Sequence, residues 1–140
     1  MLFDPENPII KLCAQGMQLE GEGKHEEAAA TFQQAWEQAA NDFEKFTAAH
    51  YVARHQDSVA NKLKWDETAL QLALGLEDEG IKGALPSLYL NIGKCYEDLN
   101  DFTKAKENYQ LALANTNFLH EDGYGNMVKA GINAGIERVS

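Results

Sequence analysis

Residues 87–114 read SLYLNIGKCYEDLNDFTKAKENYQLALA, which is two apolar stripes with a polar turn between them. In the first half, apolar and small residues follow one another at steps of three and four, the spacing of one helix face: Tyr89, Ile92, Gly93 and Tyr96. The second half keeps that spacing with Phe102, Ala105, Tyr109, Ala112 and Leu113. Pro86 suits the first turn of a helix, and Asp101 suits the cap of the next one. The pattern predicts a helical hairpin with helices at about 86–99 and 102–115.

Small side chains interrupt both stripes where two paired helices would cross. Gly93 lies in the first helix and Ala105 in the second. Only small side chains allow two helix axes to approach the lower limit of about 8 Å. We therefore expect close contact between the two helices at these positions.

The same order of large and small residues recurs nearer the start of the chain: Leu12, Gly16, Leu19, Gly23, His25, Ala28, Phe32 and Ala35. The small-residue positions Gly16, Ala53, Gly93 and Gly131 lie 37, 40 and 38 residues apart. Self-similarity at such a period is typical of stacked helical hairpins, because one hairpin cannot bury its apolar face alone. Stacked hairpins usually bind other proteins.

Further helices are predicted at about 8–21, 25–40, 41–57, 64–78 and 124–139, with a looser link at 58–62. Asn41 suits a helix cap, and Glu44 follows three residues later as in a capping box. No run alternates apolar and polar residues as a half-buried strand would. The sequence thus predicts an all-α fold in one domain over residues 1–140.

Together these positions resemble the tetratricopeptide repeat, whose pattern is an aromatic, a Leu-Gly pair and a Tyr, then a turn, then Ala, an aromatic and Ala. The resemblance divides the chain into units 9–42, 43–85 and 86–119 and a cap at 122–139, in the branch with longer units of about 37–40 residues. It implies a right-handed superhelix (α-solenoid) of about three antiparallel helical hairpins plus a C-terminal capping helix. The first helix of each hairpin would line a concave groove for a partner.

Composition restricts the class of partner. The chain has 22 acidic and 12 basic residues and a net charge of −10, which argues against nucleic acid because phosphate binding needs clustered Lys and Arg. No run is long and apolar enough for a membrane span, and the residues from Met1 onward lack a signal-peptide pattern. Cys13 and Cys95 form no close-spaced pair. These features predict a cytoplasmic protein with free thiols.

The resemblance also implies which residues line the groove: Cys13, Met17, Glu20, His50, Arg54, Asp57, Leu90, Asn91, Lys94, Glu97, Val128 and Ile132. Arg54 and Lys94 occupy equivalent positions in adjacent units. Beside His50 and Asn91, they could bind an acidic group of a protein or peptide. The alternative is that both cations pair with Asp57, Asp98 or Glu97 of the same chain.

No pattern of catalytic or metal-binding residues accompanies this groove. His50 and His55 are five residues apart and diverge around a helix, so no metal site and no cofactor is expected. Asp66 and Glu67 are expected in a first helical turn, where carboxylates favour the helix dipole. The sequence predicts a non-catalytic scaffold that binds a protein or peptide.

The alternative function is a structural subunit that self-associates, so that the chain is either a monomer or a weak homo-oligomer. Apolar residues on every side of the last helix would favour the oligomer. A single stripe at Met127, Ala130, Gly131 and Ala134 favours a cap on the preceding hairpin, and this is the predicted arrangement.

Overall fold

Helices make up the regular structure of the computed structural model, which describes residues 4–140. Residues 1–3, where a signal peptide would begin, lie outside this range. The described residues form seven α-helices of eleven or more residues and one single-turn helix, without a strand: α1 (Pro8–Gly21), α2 (His25–Gln38), α3 (Asp42–Val52), α4 (Val59–Leu74), α5 (Glu79–Lys82), α6 (Leu85–Asp98), α7 (Phe102–Ala114) and α8 (Gly123–Val139). Short 3₁₀ helices follow α3 and α7, at Ala53–His55 and Thr116–Phe118. The predicted all-α class is confirmed.

Side-chain caps account for most of the helix starts. The Asn41 side chain accepts a hydrogen bond from the Glu44 backbone N–H, as predicted. Glu44 in turn accepts from the Ala40 N–H and from the Asn7 side-chain amide, each at 2.9 Å. These bonds, the Ala40 one foremost, lower the pKa of Glu44. The cap of α3 is thereby tied to the cap of α1, where Asn7 also accepts from Ile9 and Ile10.

Three predicted boundaries in the middle of the chain are wrong, and one of them is the end of α4, which lies at Leu74 and not near residue 78. The α4 helix begins at Val59, because the Ser58 hydroxyl accepts a hydrogen bond from the Asn61 N–H at 3.1 Å and caps it. The expected link at 58–62 is therefore mostly helical. The α3 helix ends at Val52 and tightens into the 3₁₀ turn, five residues before the expected end at Asp57.

The helices pack as consecutive pairs, α1 with α2, α3 with α4 and α6 with α7, and α8 packs on α6 and α7. Successive pairs meet through α2 and α1 on α3, and through α4 on α6. The largest apolar cluster joins the second and third pairs and includes Phe46, Leu70, Ile81 and Leu88. Three hairpins and a cap are thus observed, and the right-handed sense of a superhelix stays a prediction.

The glycines of the repeat make room for aromatic rings. A Cβ atom on Gly93 would lie 2.8 Å from the ring of Tyr109, and one on Gly16 would lie 2.3 Å from the ring of Phe32. Both rings are fully buried. Close approach at these glycines is therefore as predicted, and the group that needs the space is the aromatic residue of the second helix.

The α8 helix is a cap, but its predicted buried stripe is wrong. Its buried residues are Gly125, Val128, Ile132 and Gly135. Met127 is 63% exposed, and Ala130 and Ala134 are exposed with it. A Cβ on Gly135 would lie 2.6 Å from Tyr109, so only glycine lets this turn rest on that ring. Because α8 rests on the ring in this orientation, Val128 and Ile132 face the interior and Met127 faces solvent.

Candidate functional site

A cavity of about 290 Å³ lies between α3, α4, α6 and α8. It is named here the polar pocket, since most of the side chains around it are polar or charged: His50, Arg54, Lys62, Asp66, Ser87, Asn91 and Tyr124. Its apolar wall is formed by Ala53, Leu90, Met127 and Val128. Three of its four helices are first helices of a hairpin or the cap, which is where the sequence places the groove.

An ion pair between a half-buried lysine and a buried aspartate forms one side of the polar pocket. Asp66 is only 1% exposed, and the Lys62 ammonium donates to its carboxylate at 2.5 Å. The Cys95 thiol donates to the same oxygen at 3.7 Å. Burial raises the pKa of Asp66 in spite of Lys62. The Lys62 ammonium therefore favours the charged form of Asp66, and it is itself paired with that carboxylate.

His50 presents an unsatisfied group beside this pair. Its Nδ1 is buried and has no hydrogen-bond partner among residues 4–140. Burial, helped by the charges of Arg54 and Lys62, lowers the pKa of His50 to about 4. The imidazole is therefore neutral near pH 7, with one nitrogen that donates and one that accepts.

Three further polar side chains border the pocket from α6 and α8. The Ser87 hydroxyl and the Tyr124 hydroxyl are hydrogen-bonded to each other at 2.5 Å. The Asn91 side chain is half-buried, and its amide makes no hydrogen bond within the described part of the chain. Asn91 thus offers a donor and an acceptor next to His50.

The predicted cationic pair is only partly at this site. Arg54 lines the polar pocket, and its guanidinium contacts the Glu20 carboxylate at 3.0 Å and lies over the Tyr51 ring at 4.9 Å. Lys94 is not among the lining residues and pairs with Asp98 at 2.7 Å. The alternative interpretation is therefore correct for Lys94. Arg54 has an intramolecular partner too, although it is Glu20 and none of the expected acids.

Several other predicted groove residues have structural roles instead. Cys13 is 3% exposed and packs with Ile9, Ala35 and Ala48, so its predicted place on the groove wall is wrong. Its neighbour Met17 is 45% exposed on α1 but does not line the pocket.

The acid predicted on α6 and the isoleucine predicted on α8 also serve the fold. Glu97 accepts hydrogen bonds from the Tyr109 hydroxyl at 2.7 Å and from Arg138 Nε at 2.9 Å. Ile132 is fully buried in a cluster with Ala112. Only Val128 of the predicted α8 residues borders the polar pocket.

Six lining residues were not anticipated in the groove: the polar residues Lys62, Asp66, Ser87 and Tyr124, and the apolar residues Ala53 and Met127. One signal was present: Asp66 falls on the apolar stripe of α4, between Leu63 and Leu70, and Lys62 stands four residues before it. An acid on such a stripe with a base one turn away indicates a buried ion pair. The late start predicted for α4 placed Lys62 in a link and Asp66 in the first turn, which concealed the pattern.

Residues 4–140 contain neither a cluster of metal-binding side chains nor a helix that could span a membrane. No group of three or more His, Cys, Asp or Glu side chains there could hold a metal ion. None of the helices in that range combines the length and the apolar character needed to cross a membrane.

Comparison with known proteins identifies one repeat. A family model described as tetratricopeptide repeat matches residues 86–115. Comparison with curated proteins and comparison with solved structures find no match. The matched residues are α6, α7 and their turn, the hairpin in which Gly93 faces Tyr109. Residues 86–115 are therefore identified as a tetratricopeptide repeat.

Proposed function

We propose that this protein is a non-catalytic scaffold that binds a segment of another protein along the face formed by α3, α6 and α8, with the polar pocket at its centre. Tetratricopeptide repeats generally mediate contacts between proteins. The observation that carries the proposal is the polar pocket itself, where His50 and Asn91 have hydrogen-bonding groups without a partner in residues 4–140. Buried polar groups are normally satisfied, so a bound segment would supply what they lack.

The mouth of the polar pocket supports a protein partner. Tyr124 is 54% exposed and Met127 is 63% exposed, and both border the cavity. Large exposed aromatic and methionine side chains beside a few polar groups are typical of the centre of a protein interface. A peptide could cover them and reach His50 and Asn91 at the same time.

The thiols do not favour an enzymatic role. Burial raises the pKa of Cys13 and of Cys95 to about 11 in each case. At neutral pH both are therefore thiols, and a thiol is a much weaker nucleophile than a thiolate. Each is accounted for by packing in the core.

A photo-crosslinking amino acid at Met127 tests the proposal in cells that produce the protein. The matched control is the same amino acid at Glu107, an exposed position on α7, a second helix that does not border the pocket. We expect a discrete crosslinked band from position 127 and none from 107, and we expect Tyr124→Ala to weaken it. Equal crosslinking from both positions, or none from 127, would refute the proposal.

An acidic group on the partner is a separate hypothesis. Arg54 and Lys94 each contact a carboxylate of this chain, so an acidic partner would compete with Glu20 or Asp98 for these cations. The double variant Arg54→Ala/Lys94→Ala tests this in the same crosslinking assay. A lost band would support an acidic group, and an unchanged band would discard it.

Self-association is the second candidate, because α8 has an apolar face besides its buried one. Met127, Ala130 and Ala134 lie exposed along it. Light scattering at low micromolar concentration would separate the two candidates. A dimer mass that Met127→Glu returns to the monomer mass supports self-association, and a monomer in both cases removes it.

A further inference from the structure

The polar pocket carries its charges as matched pairs. Arg54 contacts Glu20, and Lys62 contacts Asp66. The two cations and the two carboxylates sum to zero, and the whole chain is strongly acidic. An anion in the pocket would therefore meet cations whose charges are already neutralised by Glu20 and Asp66, and a cation would meet Arg54 and Lys62. Neither kind of ion is favoured by the local charge.

The groups left without a partner are all neutral. The Asn91 amide has an N–H₂ donor and a carbonyl acceptor, and the buried His50 Nδ1 either donates or accepts according to the tautomer. A carboxylate ligand offers only acceptors, which would leave the Asn91 carbonyl unmatched. An ammonium ligand offers only donors, which would leave the Asn91 N–H₂ unmatched. A carboxamide offers both an N–H and a C=O, and so can complement both side chains.

The size and the lining of the cavity agree with this choice. At about 290 Å³, it lies just below the roughly 300–1,000 Å³ range of small-molecule pockets. That space suits one side chain or one peptide unit and excludes a large cofactor. Ala53, Leu90 and Val128 supply an apolar wall for the carbon atoms next to an amide.

Resting on the proposed function, we infer that the polar pocket recognises an uncharged carboxamide of the bound segment through His50 and Asn91. The carboxamide comes either from the peptide main chain or from an Asn or Gln side chain. Arg54–Glu20 and Lys62–Asp66 act as a neutral frame that holds the walls in place and offers no net charge to the ligand. A neutral group of the partner thus takes the place of the acidic group that the sequence predicts.

Small probes test this choice directly on the full chain. The ¹⁵N-labelled protein is titrated with N-methylacetamide, propionamide, acetate and methylammonium, while the His50 ring nitrogens and the Asn91 side-chain amide are observed by NMR. We expect saturable shifts of both groups with the amides, with a dissociation constant on the order of 10 mM because such probes bury little surface. Tighter binding of N-methylacetamide would indicate a main-chain amide, and tighter binding of propionamide an Asn or Gln side chain.

Matched variants separate a bound amide from a nonspecific effect. Asn91→Leu is expected to weaken amide binding about fivefold or more, read at the His50 ring, since it removes one of the two hydrogen-bonding partners. Lys94→Ala, outside the pocket, is expected to leave the binding unchanged. Acetate binding tighter than either amide, no saturable shift with any probe, or amide binding unaltered in Asn91→Leu would each overturn the inference.

The two experiments fail independently. If the protein crosslinks from position 127 but does not bind the amides, the proposed function is supported and the carboxamide inference is refuted. If the protein binds the amides but does not crosslink, the carboxamide site is supported and the protein partner is refuted.

Discussion

The ring of Tyr109 is the residue on which the matched repeat and the cap both depend. It is fully buried, and its hydroxyl donates to Glu97 at 2.7 Å. Gly93 of α6 and Gly135 of α8 approach it so closely that a Cβ atom on either would come within 3 Å of the ring. One aromatic side chain therefore determines how near two different helices lie to α7.

Gly93→Ala should destabilise the fold although alanine is the better helix former. The added methyl group would lie 2.8 Å from the Tyr109 ring, and overpacking of this kind costs about 1–3 kcal/mol. The helix propensity of alanine returns about 1 kcal/mol. We expect a net loss of up to about 2 kcal/mol in the free energy of unfolding, measured by urea denaturation.

Gly21→Ala is the matched control, because Gly21 also lies in a helix and a Cβ there would meet nothing within 4 Å. Only the propensity gain remains, so this variant should be unchanged or stabilised by up to about 1 kcal/mol. An equal loss in both variants would show that the ring contact is not the cause.

At the scale of elements, α8 is held to the matched repeat by a polar contact near its end. Arg138 Nε donates to Glu97 Oε2 at 2.9 Å, and Glu97 also accepts from Tyr109. The Glu97 side chain is 15% exposed and that of Arg138 is 46% exposed. The hydrogen bonds from Arg138 and Tyr109 lower the pKa of Glu97 from its ordinary 4.5.

This lowered pKa predicts a pH dependence for Glu97→Gln. A carboxylate with a lower pKa in the folded state stabilises the fold above the unfolded value of 4.5, and its contribution is lost as the pH falls through the folded pKa. At neutral pH, Glu97→Gln should lose about 1 kcal/mol, since one partner is half exposed. The difference from the unmodified protein should shrink below pH 4.5.

Urea denaturation at several pH values measures this difference. The control is Glu107→Gln, which removes an exposed carboxylate from α7. It should follow the unmodified protein at every pH. A loss in Glu97→Gln that stays constant down to the lowest pH would assign the effect to packing.

Local signals explain why much of the fold could be predicted from the sequence. The caps at Asn7, Asn41 and Asp101 and the apolar spacing of residues 87–114 lie within a few residues of what they determine. Which face of α8 is buried depends instead on the Tyr109 ring of another helix. The residue spacing within α8 is compatible with two different buried stripes, and it does not decide between them. A contact between helices far apart in the chain cannot be predicted from the residue spacing within one of them.

The candidate site divides in the same way. His50, Arg54 and Asn91 could be found because their positions on the first helices repeat from unit to unit. Asp66 belongs to a second helix, and Tyr124 joins the site through a bond to Ser87. Their convergence required the relative placement of α4, α6 and α8.

At the scale of the whole molecule, the apolar core runs across the hairpins. Phe46, Leu70, Ile81 and Leu88 belong to one cluster that spans α3 to α6. Trp36 of α2 meets Trp65 of α4 edge-on at 4.9 Å, which joins the first hairpin to the second. In repeat proteins, such interfaces between neighbours carry much of the stability, so the hairpins are expected to unfold together.

Leu88→Ala tests this coupling. Leu88 is fully buried in the shared cluster, and truncation of a buried leucine costs about 2–5 kcal/mol. Because the cluster joins the second and third hairpins, tryptophan fluorescence and far-UV circular dichroism should report one urea transition at one lowered midpoint. Trp36 and Trp65 lie outside α6 and α7, so a fluorescence change reports that the loss has spread beyond the mutated hairpin.

Ile132→Ala gives the contrasting case at the end of the stack. Ile132 is equally buried, but its cluster joins α8 to α6 and α7 and contains neither tryptophan. Loss of this contact should free α8 first, so that circular dichroism begins to change before the fluorescence does.

Separate transitions in Leu88→Ala would mean that the hairpins unfold independently, and the continuous core would then contribute less to cooperativity than its packing predicts.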